Sequence, residues 1–265
     1  MEDRSVRENA IRRLWSEGRT VVNGWLATSS AAAAEGMAHQ GWDSITLDLQ
    51  HGLIDYPSAV HQLRAISTTA VVPLARVPWN EPGIIMKLLD AGAYGIICPM
   101  IDDGEQASRF VGACRYAPSG YRSVGPLRAT LYGGTDYVRH ANDTVLAIAM
   151  IETRRAVANL DAILETPGLD GIYVGPSDLS VSMGSASGFD PEFPDVLAAI
   201  ARIAEAAHRH GIPAGIHVGS VAYGLKMMEL GYRFITILSE YRLMTWAAGN
   251  AVAAIRNGQP DPSAP

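Results

Sequence analysis

The chain reads as an α/β protein, a (β/α)₈ barrel, from three observations. Eight apolar, β-rich runs occur at 20–26, 44–49, 70–76, 95–99, 145–151, 171–174, 213–218 and 232–238. Amphipathic stretches alternate with them at 30–40, 56–66, 81–91, 103–116, 154–165, 195–210, 221–230 and 240–256, the rhythm of parallel strands with helices outside. No Gly-x-Gly-x-x-Gly turn opens a helix, and eight units in about 250 residues suit a closed barrel better than an open doubly wound sheet.

Each flank has its own reading. Residues 4–17 predict an extra N-terminal helix, and 258–265, rich in Pro, Asp and Ser, predict a frayed tail. The 265 residues are 48% hydrophobic and 18% charged, enough apolar material for one large core, so 1–265 is expected to be a single domain. The segment 117–142 breaks the alternation with Pro118, Gly120, Gly125, Gly133 and Gly134 among Arg122, Arg128 and Arg139. Its length suggests a working loop.

Composition narrows the function. A net charge of −6 with scattered basic residues offers no basic stripe for nucleic acid or an anionic membrane surface, which favours small-molecule work. No apolar stretch approaches the roughly 18 residues needed to span a bilayer. Cys98 and Cys114 show neither metal spacing nor a disulfide framework, pointing to a reducing cytoplasm.

Barrel enzymes work at the C-terminal ends of their strands. Asp48, Gln50, His51, Arg76, Glu152 and Asp178 all fall at such ends. Glu152 and Asp178 close successive strands, and two carboxylates are the donor set a hard divalent cation prefers. Each acid could instead stabilise the start of its own helix. His51 follows the second strand, where an imidazole could move a proton, although a lone histidine is usually structural. Arg76 ends the third strand and offers a planar fork to a carboxylate or a developing enolate oxygen; the bland alternative is an ion pair in the barrel mouth. His208 and His210 suit a helix C-terminus, and His217, ending the seventh strand, stays open between the two readings.

Ordered motifs then carry a family resemblance over nearly the whole chain. They are Gly24-Trp25-Leu26, Asp48-x-x-His51-Gly52, Arg76-x-x-Trp79-Asn80, Leu88-Leu89-Asp90-x-Gly92, Arg115-Tyr116-x-Pro118-x-Gly120-x-Arg122, Ile151-Glu152-Thr153 and Gly175-Pro176-Ser177-Asp178-Leu179-Ser180. The chain resembles the HpcH/HpaI aldolases, metal-dependent class II pyruvate aldolases that include the 2,4-dihydroxyhept-2-ene-1,7-dioate and 2-keto-3-deoxy-sugar-acid aldolases.

The resemblance implies reversible cleavage of 4-hydroxy-2-oxo acids to pyruvate or hydroxypyruvate and an aldehyde. It implies Mg²⁺, Mn²⁺ or Co²⁺ on Glu152 and Asp178, chelated by the 2-oxo acid, and an enolate stabilised by the cation and Arg76. His51, oriented by Asp90, is to handle the aldol hydroxyl proton through a metal-bound water. Ser177 and Asp178 are to offer backbone N–H groups to the pyruvate carboxylate, with Trp25 as a pocket wall, Asp48 and Gln50 behind the site, and Arg128 gripping the far end of the aldehyde, from the same or a neighbouring subunit.

The only lysines, Lys87 and Lys226, lie in predicted helices, which argues against a Schiff-base aldolase. Two departures from the family pattern are Gln50, where glutamate is common, and Met150, where glutamine often supports the metal-bound water; both bear on acceptor preference. A citrate-lyase-beta-like lyase on an acyl-CoA is the runner-up, lacking a basic groove for the nucleotide. A catalytically silent oligomeric barrel is the alternative from another class. Family members are usually hexamers with an exchanged C-terminal helix. Leu243, Met244, Trp246, Ala247 and Ala248 suit such packing, and an ordinary eighth barrel helix explains them equally well.

Overall fold

The computed structural model describes residues 6–258. Eight parallel strands close in sequence order: β1 (Val21–Leu26), β2 (Ser44–Asp48), β3 (Val72–Arg76), β4 (Gly95–Cys98), β5 (Leu146–Ile151), β6 (Gly171–Val174), β7 (Ala214–Val218) and β8 (Phe234–Ile237). Strand β8 pairs β1 through Val22↔Ile235, and the register Asp48↔Arg76 sets those two residues side by side. Every residue of β2 to β6 is buried, as expected for strands with side chains filling the barrel and helices covering its outside. Inside, Asn23 donates to Thr236 Oγ1 (2.9 Å) and accepts from Ser44 Oγ (2.8 Å), so a buried amide is satisfied across β8, β1 and β2.

Among the described residues, thirteen helices surround or cap the barrel. In chain order they are α1 (Ala10–Ser16), α2 (Ala31–Ala38), α3 (Tyr56–Ile66), α4 (Pro82–Asp90), α5 (Gly104–Cys114), α6 (Ala129–Gly133), α7 (Tyr137–Thr144), α8 (Arg154–Ala158), α9 (Leu160–Leu164), α10 (Pro176–Ser182), α11 (Pro194–Arg209), α12 (Val221–Glu229) and α13 (Glu240–Asn257). Side-chain caps start several of them: Asp55 accepts from Ser58 N (2.9 Å), Asp103 from Gln106 N (3.0 Å) and Ser239 from Arg242 N (3.4 Å).

The N-terminal helix is shorter than expected. Asn9 caps it by accepting from Ile11 N while its amide donates to Tyr94 O (3.1 Å) and Thr144 O (2.9 Å), which pins the preceding chain in a non-helical path. Trp15 then donates to Arg233 O (3.0 Å), seating α1 across the end of the barrel where the strands begin. Residues 4 and 5 of that expectation, and 259–265 of the expected tail, lie outside the described residues.

The 117–142 segment is not a working loop at the strand C-termini. It runs from α5 toward the start of β5, at the opposite end of the barrel, and contains α6 and most of α7. Arg122 donates to Asp90 Oδ1 (2.7 Å) and Tyr137 Oη (3.1 Å), and its guanidinium lies over the Tyr116 ring (4.4 Å). These contacts tie the segment to the end of α4 and to α7. The expected helix at 154–165 is likewise broken in two, at Asn159, whose amide donates to Asp102 O (2.9 Å).

Candidate active site

A cavity of about 650 Å³ opens at the C-terminal ends of the strands, lined in part by Trp25, Asp48, His51, Arg76, Met150, Ser177, Asp178 and His217. Strand register builds its floor. Arg76 Nε and Nη2 donate to Asp48 Oδ1 (2.8 Å) and Oδ2 (2.6 Å), a bidentate pair buried between β2 and β3. Asp48 also accepts from Trp25 Nε1 (3.2 Å), Gln50 N (3.0 Å) and His51 N (3.2 Å). Burial alone would raise the Asp48 carboxyl, but the guanidinium and these donors outweigh it and hold the group below the usual carboxylate range.

The ion-pair reading of Arg76 holds, and it leaves one arm of the fork free. The remaining Nη1 has no partner among the described residues while the residue lines the cavity. Trp25 packs beneath the guanidinium at 4.9 Å, so the fork is fixed from two sides before a substrate arrives.

Glu152 follows β5 and is 2% exposed. Its Oε1 accepts from Met100 N (2.8 Å), a residue held at φ 55°, in the left-handed region, at the end of β4. Its Oε2 has no donor among the described residues and lies where a Cβ on Gly175 would sit, so glycine at 175 leaves the room this carboxylate occupies. Burial pushes the Glu152 carboxyl up to about 7, Met100 N–H opposes that, and the charge of Asp178 adds to the rise.

A divalent cation fits this arrangement. Two carboxylates offer hard oxygen donors, and a cation would offset the burial and, to a lesser degree, the Asp178 charge that raise Glu152. No group of three or more His, Cys, Asp or Glu side chains with metal geometry occurs among the described residues. Two carboxylate ligands would suit an ion that keeps positions open for substrate.

His51 lies exposed on the loop after β2 and reaches the cavity wall. Ser177 and Asp178 stand in the first turn of α10 and also line it. Gln50 donates through its backbone to Asp48, and its side-chain Oε1 is buried without a partner. Met150 lines the cavity beside Gly175, so a thioether faces it there.

Two expected residues are not brought to the cavity of the chain that carries them. Asp90 ends α4, immediately before β4, at the opposite end of the barrel from His51, and pairs with Arg122. A dyad with His51 of the same chain is therefore not formed. Arg128 is placed at that same far end because its guanidinium donates to Ala91 O (2.8 Å), Leu63 O (3.0 Å) and Ser67 Oγ (2.9 Å), closing the C-terminal turns of α3 and α4.

Other cavity residues were not singled out from the sequence. Tyr173 stacks on Trp25 (5.9 Å) and its hydroxyl meets His217 Nδ1 (3.2 Å). Phe189, Ser187, Tyr241, Arg242 and Thr245 complete the outer wall. Their position was readable in one respect: Tyr241 to Thr245 follow the end of β8, the working end of the last strand. His217 resolves as a neutral wall residue, its pKa pushed down by burial and by the charge of Arg76.

A family model described as HpcH/HpaI aldolase/citrate lyase matches residues 22–232. A hydroxypyruvate/pyruvate aldolase of Rhizorhabdus wittichii is 40% identical over 94% of the chain and 99% of its own length. A 4-hydroxy-2-oxo-heptane-1,7-dioate aldolase of Klebsiella pneumoniae is 35% identical, covering 93% of each. The crystal structure of an HpcH/HpaI aldolase/citrate lyase family protein from Burkholderia cenocepacia superposes with a TM-score of 0.88 at 33% identity, over 94% of this chain and 99% of that one.

Proposed function

The chain belongs to the HpcH/HpaI aldolase/citrate lyase family, and from that premise we propose that it is a carbon–carbon lyase, a class II pyruvate aldolase. It cleaves and forms 4-hydroxy-2-oxo acids, with pyruvate or hydroxypyruvate as one product and an aldehyde as the other. The observation that carries this is one cavity lined by Asp178, His51 and the Asp48-oriented Arg76, with the buried Glu152 carboxylate directly behind Gly175 of its wall and close enough to Asp178 to feel its charge.

When bound by Glu152 and Asp178, Mg²⁺, Mn²⁺ or Co²⁺ supplies Lewis-acid polarisation of the 2-oxo group. Arg76 directs Nη1 at the oxygen that gains charge as the C3–C4 bond breaks and its electron pair stays on C3. His51 accepts the 4-hydroxyl proton as the aldehyde forms and returns it in synthesis. Backbone N–H groups of Ser177 and Asp178 receive the substrate carboxylate, and Trp25 closes the side of the pocket. Asp48 acts through Arg76, holding the fork in place.

The working form is a homo-oligomer, a hexamer by family resemblance. Glu240 is the one buried residue of the 18-residue α13, which leaves Tyr241, Met244, Trp246, Val252 and Ile255 exposed, more apolar surface than a single copy covers. Asp90, half-buried at the far end of the barrel, reaches a His51 only on another copy. No described helix is long and apolar enough to cross a membrane. Both cysteines are buried and free, which supports a reducing cytoplasmic setting. An acyl-CoA lyase is disfavoured, because the cavity lining holds only Arg76 and Arg242 as fixed cations for a nucleotide.

The test is product formation from a panel of 4-hydroxy-2-oxo acids by chelator-stripped protein, with and without Mg²⁺, Mn²⁺ or Co²⁺. Cleavage that returns only with metal is expected. Folded protein that cleaves none of them with any metal would sink the aldolase reading.

A further inference from the structure

The cavity has two arginines, and they stand at opposite ends of one aromatic wall. Arg76 lies over Trp25 (4.9 Å), Trp25 meets the His217 ring edge-on (5.1 Å), His217 stacks on Phe189 (5.1 Å), and Arg242 lies over Phe189 (4.9 Å). Asp48 neutralises Arg76. Among the described residues Arg242 forms no ion pair; its guanidinium rests on the Phe189 face and lines the cavity. An unpaired cation against an aromatic ring, in a site walled from solvent on one side, is a receptor for an anion.

Its position is fixed by the fold. Ser239 caps α13 by accepting from Arg242 N (3.4 Å), and the adjacent Glu240 carboxylate takes Ala27 N (2.7 Å), Thr28 N (2.7 Å) and Thr28 Oγ1 (2.8 Å). That clamp ties the first turn of α13 to the end of β1, so Arg242 is presented on a rigid element. His217 separates the two arginines as a neutral spacer, since burial and both guanidinium charges disfavour its protonation. Arg128, the other candidate for the distal end of the substrate, has its guanidinium committed to Ala91, Leu63 and Ser67.

We propose that Arg242 is the specificity-determining residue for the acceptor, binding an anionic group at the end of the aldehyde remote from its carbonyl. The assignment rests on the aldolase reading, because it needs one substrate half at Arg76 and the carboxylates and the other half along the wall toward Phe189. Ser187 and Thr245 on the same rim add hydroxyls that suit a carboxylate or a phosphate.

Matched acceptors separate the possibilities in the synthetic direction with pyruvate and metal: succinic semialdehyde against butanal, and glyceraldehyde 3-phosphate against glyceraldehyde. Wild type is expected to favour the charged member of at least one pair, and the pair that responds identifies carboxylate or phosphate. Arg242→Ala should lower that charged-to-neutral ratio of kcat/KM by about tenfold or more, chiefly through KM of the aldehyde, and Arg242→Lys should restore part of it. Arg242→Gln, which keeps most of the side-chain bulk, serves if the alanine variant does not fold. A ratio identical in wild type and variants for both pairs, or a wild-type preference for the neutral members, would overturn the assignment while leaving the aldolase intact. Absence of product from every aldehyde would remove the aldolase reading and this assignment with it.

Discussion

Glu152→Gln is expected to weaken divalent-metal binding by at least about a hundredfold and to lower aldol cleavage by about a thousandfold even at high metal. The substitution keeps the volume and can still accept from Met100 N, so the fold around β5 is retained while one of the two proposed anionic ligands is lost. The same variant tests the electrostatics without metal. In the metal-free wild type, Glu152 titrates near 7 in the folded state against an ordinary value of 4.5. The folded state then binds more protons than the unfolded state between those values, so this group's contribution is full below about pH 4.5 and is lost as pH rises through about 7. Thermal melts of the two proteins between pH 5 and 8 should therefore converge or cross, with the decline due to Glu152 absent from the variant. Parallel melting curves, or unchanged Mn²⁺ affinity by calorimetry, would show that Glu152 is not a ligand in a strained, charge-crowded site.

Arg76→Met should destabilise the protein by about 3–5 kcal/mol, because it strands the Asp48 carboxylate in a site where burial already opposes ionisation. For a chain of this size that is a fall of roughly 6–15 °C in melting temperature. Adding Asp48→Leu should recover much of the loss, since replacing both members of a buried pair costs less than removing one. Activity should recover in neither protein, because Nη1 is gone from the cavity. Melting that is unaffected by Arg76→Met, or aldol turnover regained in the double variant, would each break the dual role assigned to this arginine.

The barrel was legible because its pattern is redundant: eight buried strands must each be a short apolar run, and β6 (Gly171–Val174) falls on the expected span at both ends. Errors came where tertiary contacts decide. Asn9 begins α1 late by bonding to Tyr94 and Thr144, partners 85 and 135 residues away, and nothing local announces them. The site was half legible for a similar reason. Residues that close strands, such as Asp48, Arg76 and Glu152, are placed by topology alone. Asp90 and Arg128 were tied to the site by resemblance alone; Asp90 ends the helix before β4 and so lies at the other end of its own barrel. Met100, Phe189 and Arg242 escaped notice because their roles depend on a left-handed backbone and on ring contacts between distant segments.

The central claim is that this cavity makes and stabilises the pyruvate enolate, and exchange of the pyruvate methyl protons in D₂O tests it without any aldehyde. Proton NMR should show the methyl signal disappearing with wild-type protein and Mg²⁺ or Mn²⁺, stopping on chelation, and much slower with Arg76→Met or Glu152→Gln. Folded, metal-supplied protein that leaves the methyl signal intact would contradict the account.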